Sequence, residues 1–79
     1  MAKVTDIDVR ECKAKFAAAH ENRYGKRVLK TAWHFLHWAS EYDGALASRR
    51  LSLFERWCTK YDKPRTTDNA VRWYLAHKK

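Results

Sequence analysis

Four cations, Arg49, Arg56, Lys60 and Lys63, recur at i, i+7, i+11 and i+14. Wound as an α-helix at ~3.6 residues per turn, they fall on one narrow line. The chemistry open to such a line is ionic. It can neutralise the regularly spaced charges of a polyanion and release the counterions condensed there. Leu51, Phe54 and Cys58 lie directly opposite, so the same helix has an inner side. Ser52 and Thr59 flank the line and can donate to phosphate oxygens. Arg65, just past Pro64, extends the line, and Arg50 sits nearer the apolar edge. Glu55 is the one acid between Ser48 and Tyr61, so the i,i+4 opposite-charge pairs of an ordinary solvated helix are mostly missing. Arg72, Lys78 and Lys79 add charge further on. Trp73 among them can stack on a base, anchor an interface or simply cap the core.

The wider charge balance agrees. The chain carries +8, of which residues 1–44 hold +2 and residues 45–79 hold +6. A concentrated basic half attracts nucleic acid, an anionic membrane face or an acidic protein. Other chemistries find little support. There is no paired-carboxylate motif, no Gly-rich phosphate loop and no nucleophile with an evident base, so no enzymatic activity and no cofactor are expected. His34 and His37 have a spacing that can hold a metal, but no further ligand supports them and no metal is expected. Cys12 and Cys58 read as two reduced thiols. No apolar run follows Met1, so neither a signal peptide nor a membrane span is expected, and the expected location is the cytoplasm.

Residues 53–76, LFERWCTKYDKPRTTDNAVRWYLA, resemble the opening of the SAM-like core-binding domain of tyrosine recombinases and phage integrases. Phe54, Trp57, Cys58, Pro64, Val71, Tyr74, Leu75 and Ala76 carry the similarity, as an F-x-x-W-C helix, a Pro-containing turn and a helix with a YLA-type ending. The resemblance implies an all-helical domain that clasps the DNA backbone. The catalytic domain of that family has no counterpart in the sequence, so what is implied is DNA binding without recombination.

Four elements must position these residues. Thr5 can cap a helix over about residues 6–23, with Val9, Cys12, Phe16, Ala19 and His20 on one face and Gly25 as its stop. Residues 26–42, KRVLKTAWHFLHWASEY, read as one long helix whose apolar side covers more than half its circumference. An ordinary surface helix shows a stripe only a little over ~100° wide, so this one should be central. Trp33 and Trp38 lie at its two flanks. Ser48 can cap a third helix over 47–62, with Leu51, Phe54, Trp57, Cys58 and Tyr61 inward and Leu53 at the edge. Lys63-Pro64 breaks it, and Thr66 or Thr67 caps a fourth helix with Ala70, Val71, Tyr74 and Leu75 inward. Residues 35–43, FLHWASEYD, echo residues 54–62, FERWCTKYD, which reads as two core helices converging on similar packing. Asp43 and Asp62 end those stretches as turn residues.

The expected whole is one all-α domain, a compact bundle of four helices around the second. The expected function is a small, non-enzymatic, nucleic-acid-binding module, DNA ahead of RNA. Arg49, Arg56, Lys60 and Lys63 would contact phosphates, with Arg65 and Arg72 at the margin. The alternative is a protein-interaction factor or inhibitor from a mobile element such as a phage or plasmid. It would dock on an acidic or nucleic-acid-binding protein through the same cations. A ribosomal or RNA-associated role rests on charge alone, and the scarcity of Gly speaks against it.

Overall fold

The computed structural model describes residues 4–77; Lys78 and Lys79, counted above with the basic half, lie outside them. Helix α1 spans Asp6–Tyr24, α2 Ala32–Ala39, α3 Gly44–Tyr61 and α4 Thr67–His77. No strand occurs among the described residues. Helix α2 packs against α1, α3 and α4, and α1 also packs against α4, so the shortest helix is the central one. None of the described helices is long and apolar enough to cross a membrane.

The start of α1 follows the sequence. Thr5 Oγ1 accepts the Asp8 amide at 3.2 Å and the Asp8 carboxylate accepts the Thr5 amide at 3.1 Å. Two otherwise orphaned donors are thereby satisfied at the positive end of the helix. Val9, Phe16 and His20 are buried as the spacing predicts. Gly25, at φ 86°, takes the positive dihedral that ends the helix, a conformation cheap only without a Cβ.

The second helix corrects the sequence reading. Only residues 32–39 of the expected 26–42 are helical. Thr31 restarts the chain as a helix by accepting the His34 amide at 3.2 Å, and residues 25–31 cross between α1 and α2 as a non-helical strap. The strap is held from both sides. His20 Nε2 hydrogen-bonds the Val28 carbonyl at 3.0 Å, and Thr67 Oγ1 donates to the Lys30 carbonyl. Val28 and Leu29, apolar residues of the expected long helix, consequently lie outside α2, and Leu29 is 78% exposed. The belt shrinks to Ala32, Trp33, Phe35, Leu36, Trp38 and Ala39, all buried or half-buried.

Helix α3 begins earlier than expected. Asp43, not Ser48, is its cap and accepts the Leu46 amide at 3.0 Å. Asp62 ends it in the left-handed conformation, φ 53°. Both aspartates are therefore helix-end residues, as read. Thr66 Oγ1 accepts the Asn69 amide at the start of α4. Phe16, Phe35, Leu36, Phe54, Ala70 and Val71 form the heart of the core. Trp73 joins them at 6% exposure, as the core-capping reading expects; its indole lies 6.0 Å from Phe54 and stacks on His77 at 5.3 Å. Cys12 is half-buried and Cys58 is buried, and no disulfide joins them.

Candidate nucleic-acid interface

Helix α3 presents its core side through Ala47, Phe54 and Cys58, all buried. The period of the helix then directs Arg49, Arg56 and Lys60 outward, and Lys63 follows just past the end. All four are exposed. None of them has a described acid within ion-pair distance. Two of them lie over rings instead. Lys60 Nζ lies 5.5 Å from the centre of Tyr61, and Lys63 Nζ lies 5.8 Å from that of Trp57.

The single acid of the helix is taken up elsewhere. Glu55 faces Arg65, with Oε2 and Nε 3.9 Å apart, and Arg65 Nη2 donates to Thr59 Oγ1 at 3.1 Å. Arg65 thus reaches the margin of the row but arrives with a partner. The pair is exposed, so it contributes at most ~1 kcal/mol. Arg72 is not brought to the row. Its Nη1 lies 3.3 Å from Asp6 Oδ1 at the seam of α1 and α4, beside the Lys13–Asp68 pair at 2.7 Å. Arg50 is half-buried and structural. Its Nη1 donates to Ser40 Oγ at 2.9 Å and to the Ala39 carbonyl at 3.4 Å, tying α3 to the end of α2.

Arg56 and Lys60 stand on a ridge between two depressions. On one side is a polar hollow lined by Ser52, Glu55, Thr59 and Arg65. On the other is a groove of about 530 Å³ between α3 and α4, walled by Leu53, Trp57 and Tyr61 and closed by Trp73 and His77. Leu53 is 45% and Tyr61 54% exposed. Tyr61 therefore does not belong to the core, although its spacing assigns it there. Leu53, Trp57 and Tyr61 at i, i+4 and i+8 are the signal that could have marked a second, outward stripe beside the cations.

A second cluster sits at the junction of α1 and α2. The His20 and His34 rings are 4.9 Å apart, with Tyr24 at 4.9 Å from His20 and 5.5 Å from His34. The His34 imidazole is held below its ordinary pKa, first by burial, then by the nearby His20 and His37. His34 Nδ1 lies 2.7 Å from the Thr31 hydroxyl, and His37 stacks on Trp33 at 5.1 Å. Among the described residues no three His, Cys, Asp or Glu side chains are grouped to hold a metal. Burial pushes the Cys58 thiol up, Arg65 opposes that and Glu55 adds to it; its Sγ donates weakly to the Pro64 carbonyl at 3.8 Å. Comparison of the chain with protein-family models, with curated proteins and with solved structures finds no match in any of the three.

Proposed function

We propose that this chain is a small, basic, non-enzymatic module that binds nucleic acid, DNA ahead of RNA, through phosphate contacts from Arg49, Arg56, Lys60 and Lys63. The observation that carries the reading is that these four cations are exposed along one helix with no described acid beside them. A charge left unpaired by its own protein is available to another molecule. From Arg49 to Lys60 the row extends ~16 Å at ~1.5 Å per residue, about five steps of a DNA strand at ~3.4 Å each. The residues that resemble the recombinase core-binding domain are mostly core positions, so that likeness supports a helical scaffold more than a set of contacts.

A salt titration of affinity for a short duplex tests the reading. Four neutralised phosphates give a slope of log K against log salt near −3.6, at ~0.9 per phosphate. Arg56→Gln reduces that slope by roughly one contact. Absence of binding to both duplex and single-stranded DNA at ~50 mM salt, where such contacts are strongest, removes the proposal.

One observation favours a second reading, docking on an acidic protein. The groove beside the cations exposes Leu53 and Tyr61, the kind of apolar surface that anchors a partner. Affinity capture from a nuclease-treated lysate separates the two readings: a stoichiometric protein that survives nuclease supports docking, and loss of all partners counts against it.

A further inference from the structure

We infer that the groove between α3 and α4 receives unpaired bases, so that the preferred ligand is single-stranded DNA; this rests on the nucleic-acid reading above and adds which form is bound. Two ring–ammonium pairs stand along one side of the helix, Tyr61 with Lys60 and Trp57 with Lys63. Each couples a flat π surface to a positive charge less than 6 Å away. A polymer that repeats one flat aromatic unit and one negative charge matches that arrangement. Single-stranded nucleic acid has that repeat, because its bases are free to leave the stack and lie on side-chain rings. A duplex keeps its bases within the helix and offers the rings only backbone, so Tyr61 would gain nothing from it.

The geometry of the groove fits this occupant. Its volume of about 530 Å³ falls within the ~300–1,000 Å³ of small-ligand sites. Trp73 and His77 form a fixed back wall, stacked 25° from parallel. Trp57 is supported from behind by Phe54 at 6.2 Å. Tyr61 is the ring with most of its surface open, at 54%. Arg56 and Lys60, on the ridge, can hold the phosphates of a strand whose bases turn down into the groove. An acidic peptide could satisfy the cations, but most of its residues would bring no ring.

Three probes of equal length decide the matter by fluorescence anisotropy at ~50 mM salt: oligo-dT of about twelve nucleotides, an abasic strand and a duplex. The expected order is dT tightest. Tyr61→Ala weakens dT about ten-fold, near the low end of one base–ring stack, and leaves duplex and abasic affinities unchanged. Tyr61→Phe restores dT binding, because stacking needs the ring and not the hydroxyl. Arg49→Gln weakens all three probes alike. Tyr61 is more than half exposed, so the Ala variant should keep the parent's far-UV spectrum and urea midpoint; if it does not, Tyr61→Phe against Tyr61→Leu at equal stability supplies the same comparison. Equal binding of dT and duplex, with no effect of Tyr61→Ala, overturns the base-stacking inference and leaves the nucleic-acid reading intact. Failure of all three probes overturns both. Displacement of bound dT by a short acidic peptide at lower concentration than unlabelled dT assigns the groove to a protein and overturns the inference as well.

Discussion

Residues 35–43 and 54–62 carry Phe, Trp, Tyr and Asp at the same four places, and the molecule treats the two stretches alike for half their length. Phe35 and Phe54 are both fully buried. Each half-buried Trp leans on its own Phe, Trp38 at 5.9 Å and Trp57 at 6.2 Å. Both helices also finish with one kind of turn. The Tyr42 amide returns to the His37 carbonyl at 2.8 Å, and the Lys63 amide to the Cys58 carbonyl at 2.8 Å. In each turn the penultimate residue is left-handed, Glu41 at φ 55° and Asp62 at φ 53°. The turn, however, comes two residues earlier in the first stretch. There Asp43 is needed to cap α3, and Tyr42 also takes a positive φ. Tyr42 leaves the helix and lies under the Arg23 guanidinium, 4.0 Å from its ring centre. Tyr61 stays helical beside Lys60 and faces solvent. Similar residues at equal spacing fix which rings go inward. Where the next helix must begin decides what the outer residues do, and in α3 that leaves an open ring next to open charges.

The equivalence of the inner rings can be broken first. Phe35→Ala and Phe54→Ala should each cost ~3–5 kcal/mol in urea unfolding, a large share of a stability expected at ~0.05–0.15 kcal/mol per residue. A loss well below ~2 kcal/mol at either site would show that the two positions are not alike. The turns give the next effect. Glu41→Gly should stabilise by up to ~1 kcal/mol, since a left-handed L-residue is strained. Asp62→Gly should gain only a few tenths, because Asp tolerates that conformation; equal gains would refute the distinction. The smallest effect concerns charge. The echo places His37 where α3 has Arg56, an imidazole in place of a guanidinium. Beside it His34 has its pKa lowered by burial and by His20 and His37. Such a group binds protons more readily unfolded than folded. Stability should therefore be full above about pH 6.5, decline as pH falls through that value, and level off below the folded pKa. His34 is only partly covered, so solvent screens the effect. Urea midpoints at pH 7.5 and 5.5 measure it, and His34→Gln should reduce the difference.

Much of this architecture could be read from residue types. Thr5 and Asp8 mark the start of α1, the burial of Val9, Phe16 and His20 follows their spacing, and Asp43 and Asp62 lie at helix ends. The exposure of Arg49, Arg56, Lys60 and Lys63 follows from the apolar residues opposite them. What escaped was decided at a distance. The apolar run 26–42 is periodic throughout, yet its first six residues are drawn into a strap by His20 and by Thr67, the latter 37 residues from Lys30. Trp73 lies off the main apolar face of α4 by its spacing and turns inward where Phe54 of another helix meets it. Tyr61 fits the core period but borders the groove and remains open. Local periodicity orders the faces of a helix; it does not say which neighbour covers each of them.

The seam between α1 and α4 bears on how the protein is made. Asp6 meets Arg72 across 66 residues of sequence, and Lys13 meets Asp68. A ribosome adding ~5–20 residues per second completes α1 several seconds before α4 exists. During that interval Val9 and its neighbours lack one of the two helices that will cover them. The seam between α1 and α4 can therefore form only after residues 67–77 have been made, and until then α1 has only α2 to pack against.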